Sequence, residues 1–274
     1  MLDLPAPNDD GLLIPEVGAW SADKHHFLRR YIDAFTTAMR QKRWAGLHYI
    51  DLFAGAGIER LKGTGQLDWG SPLIAAQAKH RFARLHLCDL DQLKITALRQ
   101  RLTAFPQPSE PQILQGDCNL RINDVVSAIP TGTLSLAFLD PYGLQLHFET
   151  VRAISRARCD LILFFPDHLD ALRNWAHYYF EQEQSNLDRV LGTPSWRATL
   201  SESNRDNHPL LLRRLYETQL RTLGYTHFDY ERISRRNDGR YLYLLMFCSR
   251  DPAGGKIWRG ISQRKPGDQT HFQW

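Results

Sequence analysis

The sequence predicts an α/β fold: a mostly parallel seven-stranded sheet that ends in an antiparallel C-terminal hairpin. Short, nearly continuous apolar segments alternate with helical patterns up to about residue 166, as a sheet buried on both faces requires. Near the C-terminus, two strand-like segments flank Asn237-Asp238-Gly239, whose residues tolerate the positive φ of a hairpin turn.

The predicted elements follow in chain order. Residues 1–19 form an irregular lead-in, and residues 20–274 form a single domain with an N-terminal helix and a basic C-terminal region. That helix begins after the expected N-cap Ser21, and its apolar residues recur at three- and four-residue spacing up to Met39. Parallel strands are predicted at 47–53, 84–90, 111–117, 133–140 and 159–166, with helices at 71–82, 92–105, 119–129 and 147–157. Helices at 168–191 and 209–223 follow, separated by a break at 193–201.

Local signals mark where several helices start. Asp91 and Asn119 are typical N-caps, and Ser71 followed by Pro72 predicts an N-cap and a first helical residue. Residues 58–70 are expected to form a loop that overhangs the edge of the sheet, with an open role.

Composition excludes several classes of protein. At 274 residues and 43% hydrophobic content the chain can bury a large core, and it has no apolar window long enough for a membrane helix. Its acidic start does not resemble a secretory signal, so a cytoplasmic location is expected. The four cysteines are far apart and lack CxxC pairing, which indicates buried thiols and no metal site.

Charge gives a modest indication of a nucleic-acid partner. The formal net charge is +4, and residues 201–274 hold 13 basic and 8 acidic side chains. A solvated basic face is the alternative explanation. The candidate phosphate-facing residues are Arg213, Arg214, Arg232, Arg235, Arg236 and Arg240.

The first strand leads directly into a glycine turn. Asp51 stands at the strand's carboxyl end, and Gly55 and Gly57 allow a sharp turn and the close approach of a ligand. Tight turns use glycine in any case, so the pair alone is weak evidence. The second and third strands also end in acids, Asp89 and Asp117. Each acid could be a helix cap, but three at consecutive strand ends favour a ligand site.

This layout resembles the cofactor site of S-adenosylmethionine-dependent methyltransferases with a seven-stranded, Rossmann-like sheet. The resemblance implies S-adenosylmethionine as cofactor, with its ammonium on Asp51, its ribose hydroxyls on Asp89 and its adenine amine on Asp117. The Cys118 amide would face the adenine ring. The loop residues implied in binding are Phe53, Ala54, Gly55 and Gly57.

The fourth strand ends in Asp140-Pro141-Tyr142-Gly143. Amino-methyltransferases carry Asp/Asn-Pro-Pro-aromatic here, where the acid and the next carbonyl hold the acceptor amine. This chain lacks the second proline, and it looks like the variant of some tRNA guanine N2-methyltransferases. Asp140, Pro141 and Tyr142 are therefore the candidate catalytic residues for an exocyclic amine of a nucleobase in RNA or DNA. A plain turn is the alternative.

The chain as a whole resembles the three-Cys-motif partner proteins. The matching segments are WSADKHHFLRRY (20–31), YIDLFAGAG (49–57), GSPLIA (70–75), FLDPYG (138–143) and GRYLYLLMFCSRDPAGGKIW (239–258). The resemblance implies a bacterial, methyltransferase-like protein and a partner that carries a three-cysteine, radical-type iron–sulfur motif.

Two further functions stay open beside methyl transfer. The chain could bind the cofactor and serve the iron–sulfur partner without catalysis, whereas a nicotinamide enzyme is disfavoured because GxGxxG is missing. Lys24 recurs in the family pattern. It is expected to be a surface lysine, with a contact to the cofactor carboxylate or a phosphate as the alternative.

Overall fold

A computed structural model of the protein describes residues 5–165, 179–234 and 241–262. Within these ranges no helix is long and apolar enough to cross a membrane. The Asn237-Asp238-Gly239 turn, Arg235, Arg236 and Arg240 lie outside the described residues, as does part of the helix predicted at 168–191.

The predicted seven-stranded sheet is confirmed. Its strands are β2 (Leu47–Asp51), β5 (Arg84–Asp89), β6 (Gln112–Gln115), β7 (Leu134–Leu139), β8 (Cys159–Phe165), β9 (His227–Ser234) and β10 (Tyr241–Ser249). They are arranged in the order β6-β5-β2-β7-β8-β10-β9. The first five are parallel, and β10 pairs antiparallel with both β8 and β9. From β2 the chain adds β5 and β6 toward one edge of the sheet, and from β7 it adds strands toward the other edge. The connections therefore diverge between β2 and β7, which leaves a crevice at the carboxyl ends of these two strands.

Helices cover both faces of this sheet and bury two hydrophobic clusters. One face carries α1 (Ser21–Met39), α2 (Ser71–Ala76), α3 (Gln92–Leu102) and, after β10, the C-terminal α9 (Pro252–Ser262). The other carries α4 (Cys118–Ser127), α5 (Phe148–Ile154), α6 (Asn186–Leu191), α7 (Trp196–Ser201) and α8 (His208–Thr222). All four cysteines lie in these clusters or strands as buried free thiols, as predicted.

The region 58–70 is not the predicted loop. It forms a hairpin of β3 (Ile58–Leu61) and β4 (Leu67–Trp69), and β3 also pairs in parallel with β1 (Glu16–Val17). The lead-in is thus not irregular throughout, because it supplies one strand of a second, three-stranded sheet. Backbone hydrogen bonds from Arg60 and Lys62 to Pro15 and Val17 complete the pairing.

Three predicted helix starts are wrong. Trp20, not Ser21, is the N-cap of α1; the Ser21 hydroxyl instead donates to Glu59 Oε2 at 2.7 Å. Gly70 caps α2, because the Ser71 hydroxyl bonds Asp51. Asp117, not Asn119, caps α4, whereas the predicted cap Asp91 of α3 is confirmed.

Several predicted helix lengths also differ. The helix predicted at 71–82 ends at Ala76, where the backbone of Gln77 leaves the helical conformation. In the described part of 168–191 the one α-helix is α6, which begins at a capping box of Ser185 and Asp188. The break predicted at 193–201 holds the short helix α7. The helix predicted at 209–223 is confirmed as α8.

One buried polar contact ties α1 to the sheet. Tyr31 is fully buried, and its hydroxyl donates to Asp160 Oδ2 at 2.9 Å. Burial raises the pKa of Asp160 to about 6, although hydrogen bonds from Ser249 and Tyr31 oppose that rise. The hydroxyl therefore stabilises a carboxylate that has little access to water.

We expect Tyr31→Phe to lower the free energy of unfolding by about 1.5–3 kcal/mol at pH 8, the range for a hydrogen bond to a charged group. The loss should shrink below about pH 6, where Asp160 takes up its proton. Urea denaturation at both pH values measures it. Tyr225→Phe is the matched control, because that buried hydroxyl has no hydrogen-bond partner among the described residues. Equal losses in the two variants would contradict the assignment.

Candidate functional site

Four acids lie where parallel strands end. Asp51 is the last residue of β2 and Asp89 the last of β5, while Asp117 and Asp140 follow β6 and β7 by two residues and one residue. Because neighbouring parallel strands run the same way, these positions share the carboxyl edge of the sheet. The structure thus brings the sequence-predicted acids to one edge.

Asp51 is the most deeply buried of them, with no exposed surface. It accepts hydrogen bonds from the Phe53 amide at 3.1 Å and the Tyr49 hydroxyl at 3.2 Å, and a third from Ser71. Burial nevertheless raises its pKa to about 7, and the nearby charge of Asp140 adds to the rise. No basic side chain among the described residues forms an ion pair with Asp51, so this carboxylate is suited to an incoming cation.

The two glycines of the turn after β2 have different surroundings. Gly55 has φ +63°, and a Cβ built on it would meet nothing within 4 Å. Gly57 has φ +87°, and its Cβ would lie 2.9 Å from Leu73 Cδ1 and 3.1 Å from Leu98 Cδ1. Gly57 is therefore needed for packing, whereas Gly55 faces open space. Ala54, which precedes them, is buried, and its amide donates to the Cys88 carbonyl at 2.9 Å.

Asp89 holds this turn in place. Its Oδ2 accepts from the Gly55 amide at 2.8 Å, and its Oδ1 accepts from the Asp91 amide at 2.9 Å. The carboxylate is 8% exposed. Each oxygen keeps a free lone pair after these bonds. Asp89 can thus fix the glycine turn and accept further hydrogen bonds at the same time.

Asp117 is exposed and acts as a helix cap, the alternative considered from sequence. Its Oδ1 accepts from the Asn119 amide at 2.8 Å and from Asn119 Nδ2 at 2.9 Å. Asn119 in turn bonds Gln145 O, the His147 amide and the Thr150 hydroxyl, and so links α4 to the segment after β7. Cys118 is 5% exposed, and burial raises the pKa of its thiol to about 12, so it stays neutral.

Asp140 forms an ion pair that sequence analysis did not expect. Lys24 Nζ lies 2.5 Å from Asp140 Oδ2 and 5.0 Å from the centroid of the Phe164 ring. The Lys24 side chain is only 11% exposed, so the expectation of a surface lysine is wrong. Its charge is held between a carboxylate and the face of an aromatic ring.

The residues after Asp140 point in different directions. Pro141 and Gly143 line a narrow apolar cleft together with Phe164 and Tyr216. Tyr142 is 88% exposed, which is unusual for a large aromatic side chain. Its ring is therefore free to stack on a planar ligand at the rim of the sheet edge.

The hairpin of β3 and β4 is joined to α1 by a charged network. Glu59 and Asp68 are cross-strand neighbours, and two like charges in that position repel. His25 lies between them, with Nδ1 3.3 Å from Asp68 and Nε2 3.9 Å from Glu59. Arg29 adds an ion pair to Asp68 at 2.7 Å. Together with Ser21 these residues fasten the hairpin to the helix that carries Lys24.

A second attachment crosses the glycine turn itself. Arg101 of α3 is 5% exposed, and its Nη1 donates to the Ala56 carbonyl at 2.7 Å and to the Leu13 carbonyl at 2.9 Å. Its Nε and Nη2 bond both oxygens of Asp10, at 2.8 and 2.7 Å. The lead-in is therefore bound to the turn that follows β2.

One of the candidate phosphate-facing residues that the structure describes has an aromatic neighbour. The Arg213 guanidinium lies 4.7 Å from the centroid of the Tyr230 ring. Arg214 and Arg232 are exposed. Residues 5–165, 179–234 and 241–262 contain no group of three or more His, Cys, Asp or Glu side chains that could hold a metal ion.

Sequence analysis missed the contacts that Ser71, Tyr49, His25 and Arg101 make at the site. A signal existed for one group: Ser21, His25 and Arg29 are spaced four residues apart and so form a polar stripe on the otherwise apolar α1. Nothing in the sequence names the partners of that stripe, which lie 38 to 43 residues away.

The chain is similar in fold to several solved structures. A DUF519-family protein from Legionella pneumophila is 14% identical, with 87% of this chain and 89% of that chain covered and a TM-score of 0.49. An O-methyltransferase from Bacillus cereus, in complex with SAH, is 9% identical, with 84% and 81% covered and a TM-score of 0.48. The O-methyltransferase TomG from Streptomyces achromogenes, in complex with SAM, is 10% identical, with the same coverage and TM-score.

No protein-family model matches the chain, and no curated protein matches it.

We expect Asp51→Asn to flatten the dependence of stability on pH. The folded protein keeps the Asp51 proton up to about pH 7, whereas the unfolded chain releases it near pH 4. This group thus makes the wild type lose stability as pH rises from about 4 to 7. Urea denaturation across that range should show Asp51→Asn gaining relative to the wild type as pH rises. Parallel curves would contradict the burial of an ionisable Asp51.

Proposed function

We propose that this protein is an S-adenosylmethionine-dependent methyltransferase that acts on an exocyclic amine of a nucleobase in RNA or DNA. The observation that carries the proposal is a buried acid, Asp51, that has no ion-pair partner among the described residues and is followed four residues later by Gly55, whose backbone faces open space. Both belong to the crevice where the strand order diverges, which is where α/β sheets bind ligands.

The residues present fit the cofactor. Asp51 is a buried carboxylate without an ion-pair partner among the described residues, which suits an ammonium group. The space beside Gly55 admits a ligand against the backbone. Asp89 keeps lone pairs for two hydroxyl donors, and Asp117, although it caps α4, is exposed and can accept an amine. The glycine turn, with Phe53 and Ala54, would complete this side of the site.

When bound, S-adenosylmethionine supplies a methyl group on a positively charged sulfur. Asp140 accepts a hydrogen bond from the acceptor amine and so turns the nitrogen lone pair toward that methyl. As the new N–C bond forms, the bond between the methyl carbon and the sulfur would break and leave S-adenosylhomocysteine, and Asp140 would receive the proton that the nitrogen loses. Pro141 fixes the backbone after the acid, and the exposed Tyr142 ring stacks on the base.

Two observations support a nucleic-acid acceptor. An enzyme that methylates a base has to contact the flat face of the base by stacking and its edge by hydrogen bonds. Tyr142 offers an exposed ring for the face, and Asp140, two residues earlier in the chain, offers a carboxylate for the edge. The C-terminal quarter carries the excess of positive charge, of which Arg214 and Arg232 are exposed. Arg235 and Arg236 complete the proposed phosphate-binding group by sequence alone.

A second candidate function is favoured by the Lys24 contact. Because the Lys24 ammonium forms an ion pair with Asp140 Oδ2, only the Oδ1 oxygen of this acid is left for an acceptor amine. The protein could then bind the cofactor and serve a partner with a three-cysteine iron–sulfur motif, as the resemblance to three-Cys-motif partner proteins implies. Cofactor binding without methyl transfer is the signature of this alternative.

We expect Gly55→Ala to fold, with some loss of stability from alanine at φ +63°, and to bind S-adenosylmethionine at least about ten-fold more weakly. The added methyl would enter the open space that the cofactor needs, and overpacking of about 1–3 kcal/mol corresponds to that factor. Gly57→Ala is the matched comparison, because its methyl would strike Leu73 and should lower the melting temperature more. Calorimetric titration and thermal unfolding test both. Unchanged affinity in Gly55→Ala would place the cofactor elsewhere.

We expect Asp140→Ala to keep a near-normal cofactor dissociation constant and to lose at least about 100-fold in turnover, the range for groups of this kind. The assay measures S-adenosylhomocysteine formed with mixed RNA and DNA, with the modified nucleoside identified by mass spectrometry. Asp124→Ala is the control for loss of a carboxylate, since Asp124 is an exposed partner of Arg121.

Full activity of Asp140→Ala would contradict the proposed role of the acid. A wild-type protein that binds the cofactor yet forms no S-adenosylhomocysteine with any nucleic acid would favour the partner-subunit alternative.

A further inference from the structure

The contact between Lys24 and Asp140 carries information about the acceptor, and the inference drawn from it rests on the proposed function. The two side chains are only 11% and 23% exposed, and they come from α1 and from the end of β7. Lys24 also lies over the Phe164 ring, so its ammonium has a defined place beside the acid. A freely moving surface pair would have neither property.

The pair combines two opposite hydrogen-bonding characters. A lysine ammonium only donates, with three N–H groups, and a carboxylate only accepts. Lys24 spends one N–H on Asp140 Oδ2. Among the described residues nothing hydrogen-bonds Asp140 Oδ1 or the remaining N–H groups of Lys24. The site therefore presents a donor immediately next to an acceptor.

We propose that Lys24 selects the acceptor base by donating a hydrogen bond to its edge, so that the methylated amine must stand next to an unprotonated ring nitrogen. In this arrangement the amine donates to Asp140 Oδ1 while Lys24 donates to the ring nitrogen. Adenine has this pattern, with its N6 amine beside N1 and near N7, and cytosine has it with N4 beside N3. The acceptor is accordingly adenine or cytosine.

Guanine fits the same pair poorly. On its Watson–Crick edge the N2 amine stands next to N1–H, a donor that would face the Lys24 ammonium. The ring nitrogen on the other side of that amine, N3, lies next to the sugar. A partly buried charge left facing a donor is a strong basis for rejecting a ligand. The inference thus departs from the guanine acceptor that the Asp-Pro-Tyr-Gly sequence by itself resembles.

The test replaces the ring nitrogen by carbon in the substrate and removes the ammonium in the protein. Single-stranded oligonucleotides would carry adenine, 1-deazaadenine or 7-deazaadenine, and cytosine or 3-deazacytosine, at one position. With the wild type, we expect kcat/KM to fall about ten- to a hundred-fold when the nitrogen that Lys24 contacts is lost. Lys24→Met should lower kcat/KM by a similar factor on the natural base and be insensitive to the deaza change. Lys24→Arg should restore part of the sensitivity.

Controls distinguish recognition of the base by Lys24 from a role of Lys24 in the stability of the protein. Lys42→Met removes an exposed lysine that follows α1 and should behave as wild type. Thermal unfolding and the cofactor dissociation constant of each variant show whether the fold and the cofactor site persist. If Lys24→Met does not fold, the deaza series with the wild type decides alone, and equal rates on all analogues overturn the proposal.

Failure of the inference differs from failure of the proposed function. Methylation confined to guanine, or a deaza penalty of the same size in wild type and Lys24→Met, overturns the role of Lys24 and leaves the methyltransferase standing. Absence of methyl transfer to every base, with cofactor binding intact, overturns the nucleobase acceptor and this inference with it.

Discussion

The central sheet is buried on both faces, and this constraint decides where the chemistry of the protein can lie. Every residue of β2 and β8 is buried, so a charged side chain within a strand would lose its hydration. A buried acid within a strand needs hydrogen-bond donors, as Asp160 of β8 has in Tyr31, and the four acids of the candidate site lie where strands stop. Asp51 sits at the limit of that zone, since it ends β2 yet has no exposed surface. Its raised pKa is the physical mark of this position.

The helix α1 connects parts of the site that are distant in sequence. Through Lys24 it contacts the acid after β7, through His25 and Arg29 it holds the β3–β4 hairpin, and through Tyr31 it contacts Asp160 in β8. Helical periodicity lets one element face several neighbours because successive residues point about 100° apart. The position of Asp140 is thereby linked to the position of the hairpin beside the glycine turn.

The fold was accessible from sequence because its signals are local. An apolar run between turn residues predicts a strand wherever that strand pairs, and the acids at strand ends follow from the same pattern. The hairpin at 58–69 was missed because its strands are short, only three and four residues, and are stabilised by pairing with Glu16–Val17, more than 40 residues away. The helix α9 was missed because a Gly254-Gly255 pair disfavours helices. Packing against β10 explains why glycine is present at position 254, since a Cβ there would lie 2.5 Å from Ser249 Oγ.

For the same reason, only part of the candidate site could be predicted from the sequence. The order of residues identifies which acids lie at strand ends, but it does not show which of them has a basic side chain as an ion-pair partner. Lys24 and Asp140 are 116 residues apart, and only the folded chain brings them together. The hydroxyl of Ser71 shows the opposite case, because a sequence that is typical of a helix cap is used to bond a buried carboxylate instead.

The hydrogen bonds of Arg101 to Asp10 and to the Ala56 carbonyl have a consequence for how the site forms. Asp10, the Ala56 carbonyl and Arg101 belong to three separate stretches of chain, and Arg101 is 91 residues from Asp10. The guanidinium can be neutralised and desolvated only after α3 has docked and the N-terminal segment has returned to it. Contacts of such long sequence separation form late, because loop closure must come first. The final shape of the glycine turn therefore depends on contacts between segments that are far apart in sequence, and not on the turn residues alone.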